Sequence, residues 1–137
     1  MIADTGIGIH RALTQHPASR YKRLSASQAL QACVQKGVTN GAGMGFGLYA
    51  TRQFISLNLG ELLIYSGEYY GTLKAGGAYQ VKKGAYWQGT LVFLNIRTDV
   101  PVDYKCFMPG SQYLADDFDF IYGVDRDPKE TPGAAVE

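Results

Sequence analysis

The stretches Asp4-Thr5-Gly6-Ile7-Gly8 and Gly43-Met44-Gly45-Phe46-Gly47-Leu48 decide how this chain is interpreted, and we call them the first and second glycine boxes. Both alternate glycine with another residue, and glycine lets a backbone turn sharply and approach a ligand closely. The first box follows an apolar run, 1–3, as though ending a buried strand. The second opens a segment, 48–57, whose apolar residues recur at helical spacing. As a pair, the boxes indicate a nucleotide site.

The second box has two interpretations. Alternating glycines place bare backbone N–H groups at a helix N-terminus, where unsatisfied donors and the helix dipole favour phosphate. Glycines before a helix more often serve a turn or close packing. No Gly-Lys-Ser/Thr follows, so the box is not a Walker loop, and its Gly-x-Gly-x-Gly spacing differs from the dinucleotide fingerprint. Phosphate binding and a structural turn both remain open.

The first box adds a carboxylate. Asp4 at the end of a buried strand is costly to bury unless a group donates hydrogen bonds to it, and the amino group of adenine is a natural donor. Alternatively, Asp4 caps its own turn through neighbouring backbone N–H groups. The residue chemistry leaves both roles open.

Composition narrows the function classes. The chain has 137 residues, 46% of them hydrophobic, which predicts one domain with a real core. Its net charge of +1 provides no electrostatic field for nucleic acid or a membrane surface, so we expect neither as a partner.

The cysteines and histidines are too few for a metal site. Cys33 and Cys106 lie in apolar surroundings and are predicted to be small core residues, and His10 and His16 are predicted to be loop residues. No apolar run approaches the length of a membrane span, so we expect a soluble, cytoplasmic protein.

Periodicity and turn residues predict the remaining elements. They comprise a helical turn at 9–13, a helix at 28–36 capped by Ser25 or Ser27 and ended by Gly37, and strands at 61–66, 78–82 and 89–97. Residues 67–77 are predicted to be a turn-rich hairpin region, and 89–97 has the length of a central strand. Residues 111–123 are either a further strand or a docking tail, and 125–137 are expected to be disordered.

The order of these motifs resembles that of the GHKL ATPases, the superfamily that joins DNA gyrase, heat-shock chaperone ATPases, sensor histidine kinases and MutL. Residues 2–9 are similar to the family's first glycine box and 43–48 to its second. Gly37-Val38-Thr39-Asn40 resembles the end of the lid in histidine-kinase-like members, and Gly89-Thr90 resembles the last motif. The resemblance covers residues 1–97.

The resemblance implies an α/β two-layer sandwich of Bergerat type, with a mixed, mostly antiparallel sheet and helices on one face. Residues 1–97 would form a partial histidine-kinase-like ATPase domain with its lid at about 9–42, and 98–124 a C-terminal extension. ATP is the implied cofactor: Asp4 would accept from the adenine amino group and Thr90 would support the base through water. The implied cofactor-binding residues are Asp4, Gly6, Ile7, Gly8, Gly43, Met44, Gly45, Gly47, Leu48 and Thr90.

The chain departs from the family at its start. The family carries an upstream helix whose Asn holds Mg²⁺, often with an acidic residue that activates or positions water, but only three residues precede Asp4. We therefore expect an N-terminally truncated domain with no catalytic residue and no metal ligand for Mg²⁺. For this chain alone we expect weak or no binding of ATP and negligible turnover. The missing helix would expose part of a sheet face to self-association or to a partner protein. The alternative function is a non-catalytic interaction module that keeps the fold as a scaffold.

Overall fold

The structure, a computed structural model, describes residues 1–41 and 43–107. This part of the chain is a small α/β fold with a three-stranded antiparallel sheet and three α-helices. Its elements are β1 (Ile2–Ala3), α1 (Gly8–Thr14), α2 (Ala26–Ala32), α3 (Gly47–Asn58), β2 (Glu61–Leu73), β3 (Gln80–Asn95) and a 3₁₀ turn (Tyr104–Cys106).

The sheet has the order β1-β3-β2, so β3 is central, as predicted for residues 89–97. Both strand pairs are antiparallel, and Ile64 lies opposite Val92 at the middle of the sheet. The mixed sheet that we expected therefore has no parallel pair within the described residues. The register shifts on both sides of Gly67, which has a positive φ of 65°, so a β-bulge bends β2 at this point.

The hairpin region predicted at 67–77 is correct only in its last part. Residues 67–73 belong to β2, and the turn of the hairpin lies at 74–79, before β3 begins at Gln80. The predicted strands 78–82 and 89–97 are parts of one long strand, β3, except that 78–79 and 96–97 lie beyond its ends. Two glycines that resemble turn residues lie inside the strands, where they make room for tyrosines. A Cβ on Gly71 would collide with the ring of Tyr79, and a Cβ on Gly84 would collide with the hydroxyl of Tyr65.

All three helices contribute to one hydrophobic core on one side of the sheet. Leu62 and Ile64 of β2 are almost fully buried there against side chains of the helices. Their buried helical neighbours are Leu13 of α1, Ala29 and Leu30 of α2, Cys33 and Val34 directly after α2, and Ile55 of α3. The prediction that helices cover one face of the sheet is confirmed for the described residues.

Local sequence determines where the helices begin and end. Ser25 caps α2: its hydroxyl accepts from the Gln28 N–H (3.2 Å), and the Gln28 side chain accepts from the Ser25 N–H (2.9 Å). This helix is Ala26–Ala32 rather than 28–36, although Gly37 has the predicted left-handed conformation, with φ of 76°. The helix predicted at 48–57 is confirmed as α3.

The remaining predictions concern the cysteines, the C-terminal residues and a membrane span. Cys33 is buried as predicted, but Cys106 is exposed because the turn that carries it lies outside the core. The predictions for 111–123 and 125–137 fall outside the described residues. Among the helices that are described, none has the length and apolar character needed to cross a membrane.

Candidate functional site

The first glycine box lies where β1 leaves the sheet beside β3. The buried strand that we expected before Asp4 is wrong, because both residues of β1 are exposed at the edge of the sheet. The Asp4 N–H donates to the Thr90 carbonyl (2.9 Å), and the Thr90 N–H donates back to Oδ1 of Asp4 (3.1 Å). The Gly6 N–H also donates to Oδ1 (2.8 Å), so Asp4 does cap its own turn. Among the described residues, nothing donates to Oδ2 of this exposed carboxylate. The local and the ligand-binding roles of Asp4 can therefore coexist on its two oxygens.

Gly89 allows this close approach between β3 and the first box. Its φ of 90° is in the region that favours glycine, and a Cβ on it would collide with the Asp4 carbonyl. Because Gly89 has no Cβ, β3 can approach the first box closely, and this brings Thr90, a predicted site residue, next to Asp4.

Ser66 connects β2, β3 and the start of α1, a role that the sequence did not reveal. Its hydroxyl donates to the Gly89 carbonyl and accepts from the Ile9 N–H, both at 2.9 Å. A Cβ on Gly8 would lie 2.8 Å from the same oxygen. The contacts span 23 and 57 residues of sequence, so no local pattern could have indicated them.

A cleft of about 330 Å³ opens beside the first box. It is lined by Ile7 and Gly8 on one side and by Glu68, Trp87 and Gly89 of the long hairpin on the other. Ile7 is 63% exposed, which leaves an apolar side chain available to a planar ligand.

The second glycine box packs against the turn after α2. The Gly37 N–H donates to the Gly45 carbonyl (3.1 Å), and Gly45 has a φ of 65°. A Cβ on Gly45 would lie 2.5 Å from the Val38 carbonyl oxygen, so the packing of the backbone alone requires glycine at this position. The positions beside Gly43 and Gly47 are open, since no atom lies within 4 Å of where a Cβ would stand.

The start of α3 is suited to an anion. Phe46 precedes the helix and provides no side-chain cap, and the first turn contains no acidic residue. The side chain of Met44 is 89% exposed, whereas Leu48 packs against the core and anchors the helix. The N–H groups of this first turn are the natural donors for a phosphate.

The described contacts do not join the two boxes. No hydrogen bond among residues 1–41 and 43–107 links 4–8 with 43–48, and the cleft beside the first box has no lining residue from the second. The structure brings Asp4 and Thr90 together and places the second box separately against Val38.

The predicted lid, residues 9–42, contains α1 and α2 and supplies Leu13, Leu30 and Val34 to the core. His10 lies in α1 and not in a loop, so that prediction is wrong. Its Nε2 lies 2.9 Å from the Leu24 carbonyl and connects α1 to the segment before α2. Much of the segment that we predicted to be a lid is thus part of the packed fold.

Burial perturbs two groups next to α2. Desolvation raises the pKa of the Cys33 thiol to about 12, and desolvation together with this neighbouring thiol raises the pKa of Tyr79. The Tyr79 hydroxyl donates to the Leu30 carbonyl (3.4 Å), and the Cys33 thiol donates to the same oxygen (3.1 Å). Both groups stay neutral at physiological pH and serve packing, not chemistry.

The described residues contain no group of three or more His, Cys, Asp or Glu side chains placed to hold a metal ion. Comparisons with protein-family models, with curated proteins and with solved structures found no significant match. A function for this chain is therefore inferred from its residues and their geometry.

Proposed function

We propose that this chain binds an adenine nucleotide, with the first glycine box at the base and the second at the phosphates. The observation that carries the proposal is the Asp4 carboxylate, which is fixed through Oδ1 by two backbone N–H groups while Oδ2 has no donor among the described residues. A carboxylate held in this way is a preorganised acceptor.

Adenine suits this acceptor better than guanine. The 6-amino group of adenine can donate to Oδ2 of Asp4, in a hydrogen bond strengthened by the charge of the carboxylate. Guanine has a carbonyl oxygen at the same position, which a carboxylate repels, so guanine would have to shift in the site to present its N1–H or 2-amino group to Asp4. Thr90 is held next to Asp4 by one backbone–backbone hydrogen bond and by its own N–H, which donates to Oδ1 of Asp4. Its hydroxyl can therefore hold a water beside the base.

The second box supports the phosphate half of the proposal. Gly43 and Gly45 precede a helix of 12 residues, and Gly47 is its first residue. The first turn of this helix lacks both a side-chain cap and an acidic residue. Gly43 and Gly47 leave open space in which an anion can approach the backbone. Binding would bring this segment and the first box to a single ligand.

The proposal concerns binding and assigns no catalytic residue. Mg²⁺ accompanies ATP in the family that the motifs resemble, but no metal-binding cluster lies within the described residues, and we derive no step through the ion. ATP and ADP with and without Mg²⁺ are therefore separate ligands in the test.

Calorimetric titration with ATP, ADP and GTP tests the proposal, with Asp4→Asn as the informative variant. The amide oxygen of Asn can keep the two bonds from Gly6 and Thr90, whereas its NH₂ group replaces the free acceptor with a donor. We expect Asp4→Asn to weaken ATP binding by about 2 kcal/mol, roughly thirtyfold, and to improve binding of GTP relative to ATP.

Asp99→Asn is the matched control, because Asp99 is an exposed carboxylate paired with Arg97 away from both boxes. It should leave nucleotide affinity unchanged. If the wild-type protein gives no heat with any adenine nucleotide, or if both variants bind ATP equally well, the proposal is wrong.

A further inference from the structure

One face of the sheet carries apolar side chains that none of the described helices covers. The register pairs Leu63 with Phe93 and Tyr65 with Leu91, and these alternate with Leu62 and Ile64, which point into the core. Stacking of Tyr65 on Tyr70, with ring centroids 5.5 Å apart, extends the same face along β2. We call these residues the open face: Leu63, Tyr65, Tyr70, Leu91 and Phe93.

None of the open-face residues belongs to the hydrophobic core that the described helices form, and Phe93 is 42% exposed. The Tyr65 side chain is also ready to be buried. The Tyr65 hydroxyl already donates to the Ala85 carbonyl (2.5 Å), so covering this ring leaves no unpaired donor.

The open face has opposite charges at its two ends. Glu61 is exposed two residues before Leu63, and alternation along the strand places it on the same face. At the other end, Lys82 pairs with Tyr70 and lies two residues before Gly84, which is packed under Tyr65. Neither Glu61 nor Lys82 forms an ion pair within residues 1–41 and 43–107.

We propose that a second copy of this chain covers the open face in a two-fold symmetric dimer. A two-fold axis in the plane of the interface and perpendicular to the strands reverses the strand direction. It therefore places Glu61 of each copy over Lys82 of the other. The same operation sets the aliphatic and phenyl side chains of one copy against the stacked tyrosines of the other. An isologous interface requires self-complementarity of this kind.

The size of the face sets the strength of the dimer. Nine residue steps separate Glu61 from Tyr70, so the face is roughly 30 Å long, and two strands give it a width of about 10 Å. Such a patch buries on the order of 300–400 Å² in each copy, which is less than the ~800 Å² per partner of a typical stable complex. We expect a reversible dimer with a dissociation constant in the micromolar range or weaker.

Analytical ultracentrifugation of the full chain, from about 10 μM to about 1 mM, measures this equilibrium. Each dimer contains two copies of the Glu61–Lys82 contact. Glu61→Lys or Lys82→Glu alone therefore converts attraction into repulsion and weakens association about tenfold. The double variant Glu61→Lys/Lys82→Glu restores the contact with its charges exchanged, and its dissociation constant returns close to that of the wild type.

Lys83→Glu is the matched control. Lys83 pairs with Tyr69, which packs against the core on the opposite face, so this charge reversal leaves the dissociation constant unchanged. Phe93→Asp tests the centre of the open face and should lower the association constant of the dimer at least a hundredfold. Circular dichroism checks that each variant is folded. If Phe93→Asp does not fold, the variants of Glu61 and Lys82 still test the dimer.

A chain that is monomeric at every concentration overturns the proposal, whatever else covers the open face. So does a dimer that the single charge reversals leave intact, or one that the double variant fails to restore. Nucleotide binding is measured separately at Asp4, so failure of the dimer leaves the proposed function untouched, and the converse holds as well.

Discussion

Replacing Asn58 with alanine removes three hydrogen bonds that hold the end of α3 to the chain beyond β3. Its Nδ2 donates to the Arg97 carbonyl (2.8 Å) and to the Val100 carbonyl (2.9 Å), and its Oδ1 accepts from the Arg97 N–H (2.7 Å). Asn58 is 1% exposed, so water does not replace these bonds at the side chain. At about 1 kcal/mol for each bond, Asn58→Ala should lower the free energy of unfolding by about 3 kcal/mol.

Urea unfolding followed by circular dichroism measures this change, and the slope with denaturant should stay constant. Asn58→Asp sharpens the test: it keeps the acceptor for Arg97 but turns a carboxylate oxygen toward two carbonyl oxygens. It should therefore be at least as destabilising as alanine. Asn95→Ala is the control, because Asn95 is exposed and its side chain makes no hydrogen bond within the described residues, so the change should stay within about 0.5 kcal/mol. If Asn58→Ala costs less than about 1 kcal/mol, or no more than Asn95→Ala, these contacts do not hold the fold as argued.

Two further predictions concern the environment of α2. Burial raises the pKa of Cys33 to about 12, against an ordinary value of 9.0. Between these two pH values, the folded protein keeps the thiol proton while the unfolded chain loses it. The stabilisation is complete below the unfolded pKa and is lost as pH rises toward the folded pKa, at about 1.4 kcal/mol per pH unit. Urea unfolding at rising alkaline pH measures it; Cys33→Ala should show a shallower loss, and an equal loss in both proteins would contradict the assignment. At the start of α2, Ser25→Ala removes the cap and should cost about 1 kcal/mol in the same assay, more than Ser27→Ala does, and equal costs would contradict the capping role.

The sequence predicts those parts of the fold that short-range patterns determine. The cap at Ser25, the left-handed Gly37 and the helical spacing of α3 involve neighbours within a few residues, and the structure has all three. The long hairpin was not predictable in the same way. Gly71 and Gly84 resemble turn residues, but each lies under a tyrosine from elsewhere in the chain, and only the folded register reveals the ring that requires the glycine.

The same distinction applies to the candidate site, where short-range patterns were predictable from the sequence and long-range contacts were not. Both glycine boxes, the first of which begins with Asp4, are recognisable because glycine alternates with other residues over a few positions. Thr90 was indicated by the order of the motifs along the chain. Ser66 and Asn58 act through partners 23 to 57 residues away and carry no mark of their role in the sequence. The two oxygens of Asp4 show why residue chemistry alone left its role open, since the local cap occupies only one of them.

The most direct test of the central claim is an NMR titration of the labelled full chain with ATP, which follows the backbone amides of both glycine boxes. If the boxes form one nucleotide site, the signals of Gly6 and Gly8 should move together with those of Gly43, Gly45 and Gly47. The shifts of all five signals should give the same dissociation constant for ATP. GTP should not produce the same set of shifts. Shifts confined to one box, or no shift in either at saturating ATP, would contradict the account.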